Sequence, residues 1–320
     1  MTGEAVVRVH RGSAVESEHR VAWAVTGGDE DLGPSVFVRS AAKPFQALAA
    51  VRAGVPERFG LRADHLAVAC ASHGGGEEHV ARVREMLGAA GCAEADLGCG
   101  PSDPRDPVAA AAYREAGGRP EPMRHNCSGK HAFAIALAVA EGWPVAGYFD
   151  PGHPVQVAMC RGVAEATGVD DGELAHAVDG CGMQTFSVPL ARLADAFGRL
   201  AGGGLGPAGE RAAAAMAAYP ELVAFDGALD TELMRAHPGL VAKIGAEGVL
   251  GIGLPDGRGA ALKVLDGAMR GLDPAALLVL EERLGLALGG PVLERLREAP
   301  VVNSRGEQVG RAEATFVAAT

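Results

Sequence analysis

Lysine is scarce in this chain: four residues, at 43, 130, 243 and 263, stand among 29 basic side chains, the other 25 being arginine. Arginine stays protonated at any workable pH, whereas a buried lysine can lose its proton and act as a base or a metal ligand, so the few retained lysines mark positions to read one by one. Aromatic residues make up only 4%, which removes the stacking platforms of a single-strand nucleic-acid binder. Positive charge is also in deficit. A net charge of -11 without long like-charge blocks excludes the basic face that nucleic acid or an anionic membrane requires, and leaves small molecules as the expected partners. No apolar run of about 20 residues occurs. The start, Met1-Thr-Gly-Glu-Ala-Val-Val-Arg8, lacks a basic segment followed by an apolar one, so the expectation is a cytoplasmic protein. Six cysteines in 320 residues (70, 92, 99, 127, 160 and 181) are too few for a disulfide scaffold, which leaves metal binding or plain burial.

What is present is a 48% hydrophobic chain able to bury a large core. Apolar and β-branched positions over 4–10 and 15–26, on either side of Arg11-Gly12-Ser13, predict an opening strand pair. Val36-Phe37-Val38 leads into Ser40, and 43–51 has helical periodicity with Pro44 in the first turn, where proline is tolerated. From 65 to about 235 the pattern is mostly helical: 77–87, 130–141, 155–166, 190–200, 208–218 and 230–235. Two short apolar runs, 249–254 and 260–265, joined by Pro255-Asp256-Gly257-Arg258-Gly259, predict a hairpin. A helix over 275–284 and a closing strand over 308–317 follow. These elements predict an α+β fold: a mainly antiparallel sheet built from both termini with flanking helices, plus an α-rich insert. The expected organisation is one catalytic unit over 1–320, the sheet-containing part spanning about 1–60 and 238–320 and the α-rich part about 61–237.

Ser40-Ala-Ala-Lys43 places a hydroxyl and an amine on one helical face, about one turn apart, a geometry suited to proton abstraction. Its place at a strand-to-helix junction adds free N–H groups that can hold an oxyanion. The plain alternative is a capping serine followed by a solvated lysine. For Lys43 to act as a base near pH 7 its pKa must fall from a reference near 10.4, at a cost of roughly 4 to 5 kcal/mol, through burial or a nearby cation. Lys243 is the candidate cation. It sits at a strand end or edge before Gly245-Ala246-Glu247-Gly248, whose small residues leave room for a ligand; it could equally be an edge-strand guard against aggregation. Cys70-Ala-Ser72-His73-Gly74-Gly75-Gly76 adds Ser72 as a possible second hydroxyl, paired with Lys243, while His73 reads as a satisfied polar group.

His125-Asn126-Cys127-Ser128-Gly129-Lys130-His131 is dense in donors, and Asp179-Gly180-Cys181-Gly182 supplies another thiol between glycines. Two thiolates with nitrogen ligands suit zinc, though the spacing equally allows two buried cysteines. Asn126 can hydrogen-bond an amide or carboxylate. Thr26-Gly27-Gly28 resembles the opening of enzymes that use a threonine nucleophile, but Asp29 follows and the partner motifs are missing, so it is read as a decoy.

Taken together and in order, Arg39-Ser40-Ala-Ala-Lys43-Pro44-Phe45-Gln46, Cys70-Ala-Ser72-His73, His125 to His131, Asp179-Gly-Cys181-Gly and Ala242-Lys243-Ile-Gly-Ala-Glu-Gly-Val249 resemble the rhizobial-type L-asparaginase II family over nearly the whole chain. The resemblance implies a serine β-lactamase and glutaminase-like fold and a homodimer. It implies two catalytic pairs, Ser40 with Lys43 and Ser72 with Lys243, and Arg39, Asn126, Gly245 and Ala246 at the substrate. It implies one zinc held by Cys127, Lys130 and Cys181, with Asp179 in support. The reaction implied is hydrolysis of L-asparagine to L-aspartate and ammonia through a serine acyl-enzyme. The β-lactamase motifs are incomplete, since Pro104 follows Ser102-Asp103 and Ile244 offers no hydroxyl, so antibiotic hydrolysis is not expected. Lys263 matches no catalytic motif. The alternatives left open are a glutaminase or other serine amidohydrolase on the same scaffold, a metal-driven amidohydrolase, and a zinc-binding redox sensor without turnover.

Overall fold

The protein is described here by a computed structural model covering residues 1–27 and 31–317. Gly28 and Asp29, within the motif read as a decoy, lie outside the described residues. The alternating opening segment forms β1 (Thr2–Arg11) and β2 (Ala14–Val25), paired antiparallel from Thr2↔Ala24 to Arg11↔Ala14. Ala5, Val7 and Val9 of β1 all point inward and are buried, while the residues between them stay partly exposed, the period of two expected of a half-buried strand.

Two short strands and one longer one make a small second sheet: β3 (Ser35–Phe37), β4 (His176–Val178) and β5 (Gln184–Pro189), in the order β3-β5-β4. Then come β6 (Val241–Gly245), β7 (Val249–Gly253), β8 (Gly259–Val264), β9 (Ala299–Val302) and β10 (Gln308–Phe316). The main sheet has seven antiparallel strands in the order β6-β7-β8-β2-β1-β10-β9. The two chain ends thus lie side by side at β1 and β10. The stretch expected to be α-rich carries its helices, among them Glu77–Ala89, Ser128–Glu141, Pro154–Thr167, Leu190–Ala201 and Gly206–Ala218. It also carries β4 and β5, which reach back to β3 and which the helical reading of that stretch leaves out.

Every residue of β6 and β7 is buried: the helix Leu190–Ala201 packs on both strands, Leu272–Leu284 packs on β7, and Leu229–Ala236 covers the edge strand β6. The first of these helices comes so close that a Cβ at Gly253 would collide with the backbone carbonyl of Phe197. That close approach is the reason for glycine in a strand that otherwise prefers branched side chains. Phe197 also meets Phe45 edge to face at 5.1 Å, so the sheet and the helix that begins at Lys43 share one packed contact.

Candidate active site

Val38 runs out of β3 into Arg39, whose φ of +49° is left-handed, a conformation that costs a non-glycine residue energy and clusters at functional sites. A single 3₁₀ turn over Arg39–Ala42 carries Ser40, and the α-helix Lys43–Arg52 follows directly. Ser40 is partly exposed, while Lys43 is fully buried. Strand β6 presses against this turn: a Cβ on Gly245 would lie 2.6 Å from the Val38 carbonyl oxygen, so only glycine lets the two backbones meet.

The Lys43 amine lies 2.5 Å from the Ala71 carbonyl oxygen, 3.0 Å from Ser72 Oγ and 3.3 Å from the Asn126 carbonyl oxygen. Burial is the largest influence on it and pulls its pKa below the ordinary lysine value, with the charge of Lys130 acting in the same direction and Cys127 opposing. A neutral amine has two N–H groups and one lone pair. In its neutral form the amine gives both N–H groups to the two carbonyls, which can only accept, and turns its lone pair to the Ser72 hydroxyl; in its charged form it donates to all three oxygens. Lys43 is therefore bonded to Ser72, and no hydrogen bond to Ser40 is formed.

Lys243 is also fully buried. Its amine donates to the Ile244 carbonyl at 2.6 Å and lies 3.6 Å from Asp230 Oδ2. Burial pushes its pKa down to about 7 against the opposing pull of Asp230. Among the described residues Ser72 and Lys243 share no hydrogen bond, so the pairing expected from the sequence is replaced by Lys43–Ser72 and Lys243–Asp230. Asp230, in the helix Leu229–Ala236, is fixed by accepting from the backbone N–H groups of Thr231 and Ile244 at 3.2 Å each. Sequence reading missed it, since an acidic residue in a first helical turn looks like ordinary dipole complementation.

Ser40, Ser72, Asn126, Gly245 and Ala246 line one cavity of about 280 Å3 together with Arg105, Ile244 and Glu247. Arg105, Ile244 and Glu247 were not among the expected site residues; Arg105 follows a Pro-containing turn that carries no periodic signal. A larger neighbouring cavity, about 620 Å3, shares Glu247 and Gly267 with it. Arg39 lines that neighbour instead, its Nε donating to Asp179 Oδ1 at 2.6 Å. Lys263 lines it too, with its amine bonded to the Glu247 carbonyl. His73 is a closed structural unit: its Nδ1 accepts from Gly75 N–H and its Nε2 donates to Ser128 Oγ, which donates to the Met123 carbonyl.

Cys127 immediately precedes the buried helix Ser128–Glu141, and Lys130 stands in its first turn. Cys181 comes from the turn before β5, with its sulfur 3.2 Å from Lys130 Nζ. The hydrogen bond shared with Cys127, helped by the Lys130 charge, pulls the Cys181 thiol far down, and the same bond pushes Cys127 up. Tyr148 Oη accepts from Gly98 N–H at 2.9 Å and lies 2.5 Å from His131 Nδ1. His131 Nε2 is buried with no hydrogen-bond partner among the described residues. Among the described residues no three His, Cys, Asp or Glu side chains converge, so a cation here would need the Lys130 amine as its third donor. Two sulfurs and one amine in contact fit a borderline-soft ion such as zinc.

The family model of L-asparaginase II matches residues 7–314. No individually curated protein matches the chain. Among solved structures, a crystal structure of Mglu shares 16% identity at a TM-score of 0.37, over 90% of this chain and 69% of that one. Crystal structures of Mglu in its native form and in its L-glutamate binding form, both in concentrated NaCl, share 16% identity at a TM-score of 0.38, over 90% of this chain and 62% and 60% of theirs. The chain thus spans between 60 and 69% of the length of these structures.

Proposed function

The chain belongs to the L-asparaginase II family, and from that premise we propose that it hydrolyses the side-chain amide of L-asparagine to L-aspartate and ammonia through a serine ester. Family membership supports an amidohydrolase; the finer reading rests on one observation. A buried lysine, held below its ordinary pKa, is hydrogen-bonded to one of two serines that line the same cavity.

Ser40 is the nucleophile in this reading, because its hydroxyl lies in the cavity wall, partly exposed and bonded to no described side chain. Its proton passes to Lys43, directly or through Ser72, whose hydroxyl the Lys43 amine already engages. The attacked carbonyl becomes a tetrahedral oxyanion that backbone N–H groups of the 3₁₀ turn and of the β6–β7 turn receive. Lys43 returns the proton to the departing ammonia, and water then cleaves the aspartyl ester. Lys243 holds the floor of the cavity through Asp230. Cys127, Lys130 and Cys181 would hold zinc, which when bound supplies a fixed charge that shapes the pocket. Asp179 anchors Arg39 beside that site.

The Lys43–Ser72 hydrogen bond favours one second reading, in which Ser72 itself attacks. Ammonia release from L-asparagine and L-glutamine by wild type, Ser40→Ala and Ser72→Ala separates the two. The nucleophile's variant should lose at least about 10²-fold and form no acyl-enzyme on rapid quenching, while the relay's variant keeps the ester signal. Full activity in both variants would overturn the serine mechanism. Comparing the two amides also tests substrate choice, since one methylene shifts pocket preference by only about 1 to 3 kcal/mol.

Three further expectations enter the same proposal. The antiparallel sheet uniting both chain ends, with Ser40 and Lys43 entering a helix beside it, supports a serine β-lactamase-like arrangement. Phe37, Val178 and Leu265 are exposed around the larger cavity, which supports a homodimer. All six cysteines are free, which supports a reducing compartment such as the cytoplasm.

A further inference from the structure

The cavity that holds Ser40 and Ser72 is lined by one cation and one anion, and among the described residues neither is neutralised by an ion pair. Arg105 donates through Nη1 to the Ser72 carbonyl at 3.1 Å, and its Cζ lies 5.5 Å from the Phe225 ring centroid. These contacts aim the guanidinium without compensating its charge, and the remaining N–H groups are a planar fork matched to a carboxylate. Glu247 sits in the β6–β7 turn at φ +63°. Its carboxylate lies over Gly267, another residue of the same wall, leaving no room there for a Cβ. Lys263 bonds the Glu247 backbone carbonyl and forms no ion pair with its carboxylate. A left-handed backbone at a glutamate is costly and persists where the surroundings hold it.

Resting on the amidohydrolase reading, we propose that Arg105 and Glu247 are the residues that recognise the substrate as a zwitterion, Arg105 receiving its α-carboxylate and Glu247 its α-ammonium. The substrate class is then a free α-amino acid with a side-chain amide, and amides lacking either charge are rejected at binding. Ser40 and Ser72 line the same cavity as both charges, so an amino acid held by its two ends presents its side-chain amide to the hydroxyls.

The test uses the full chain with its native metal content and follows ammonia release from L-asparagine, its methyl ester and its N-acetyl derivative. Arg105→Gln should raise KM for L-asparagine by roughly 10- to 100-fold, the range of a hydrogen bond to a charged group, and shift KM for the methyl ester less than threefold. Arg105→Lys should recover part of the loss. Glu247→Gln, which keeps the side chain's size on the same backbone, should raise KM for L-asparagine and leave that for N-acetyl asparagine within threefold. A merely structural role through the Ser72 carbonyl would lower kcat with all three substrates alike, and that result overturns the proposal, as does unchanged KM in both variants. If wild type releases ammonia from none of them, the asparaginase reading fails by itself. Calorimetry with L-asparagine then decides: tenfold weaker binding by Arg105→Gln upholds the clamp, and equal binding or none overturns it.

Discussion

The Lys43 amine has three oxygen neighbours and, when neutral, two protons to give, so its lone pair has one direction left, toward the Ser72 hydroxyl. A guanidinium has no lone pair to offer at any workable pH, which is why arginine could not stand here in a chain that otherwise prefers it. Lys43→Arg should therefore cost at least about 10²-fold in kcat/KM. In wild type, the rising limb of the pH profile should lie below the ordinary lysine range, because burial lowers this group; a limb at or above about 10.4 would contradict a buried neutral base. The second buried lysine gives a stability test. Lys243 titrates near 7 in the folded protein and near 10.4 in an unfolded chain. Between those values the unfolded state holds a proton that the folded state has released, so this group's contribution to stability rises with pH across that window, and below about 7 its full cost is felt. Removing the counter-charge with Asp230→Asn should then cost about 3 to 5 kcal/mol near pH 6, where Lys243 is charged, and clearly less near pH 9. Urea unfolding at the two pH values measures this, and a pH-independent loss would sink the assignment. Ser40 and Lys43 were legible in the sequence because three residues of one helical turn fix their spacing. The Lys43–Ser72 and Lys243–Asp230 bonds were not, because each joins segments whose approach is set by the packed fold.

The strands β6, β7 and β8 act as a floor, and the helix Leu190–Ala201 is what holds that floor to the nucleophile's turn. Its inward face, Leu190, Leu193, Ala194, Phe197 and Leu200, is fully buried. Phe197 reaches Gly251 on one side and Phe45 on the other. Phe197→Ala should destabilise the protein by about 3 to 5 kcal/mol. Because Phe45 lies two residues beyond Lys43 on the same helix, the variant should also lose activity at temperatures where it remains folded. Thermal melting together with ammonia release reads both, and a stable but inactive variant would mean that Phe197 acts on the site alone. The amphipathic pattern of this helix made it readable from sequence, as did the Pro255–Gly259 hairpin. His176-Ala177-Val178 was unreadable, since three residues carry no period and the strand exists only through its pairing with Phe186, Thr185 and Gln184.

At the scale of the whole molecule, the thiol cluster joins parts of the chain that are otherwise separate. Cys127 and Lys130 open a helix of the core, whereas Cys181 lies in the turn that feeds β5, the strand paired with the entrance to Ser40. An ion held by all three would tie that entrance to the core, and an ion that binds the folded chain alone stabilises it by mass action. Dialysed protein should contain about one zinc per chain, and a strong chelator should lower Tm. Cys181→Ala should start from the lower Tm and no longer respond to the chelator. If the chelator lowers Tm equally in wild type and Cys181→Ala, the ion sits elsewhere; if neither responds and wild type holds no metal, the thiols are buried neighbours only. This readout is independent of turnover, so it separates a structural clamp from an ion that only assists the reaction.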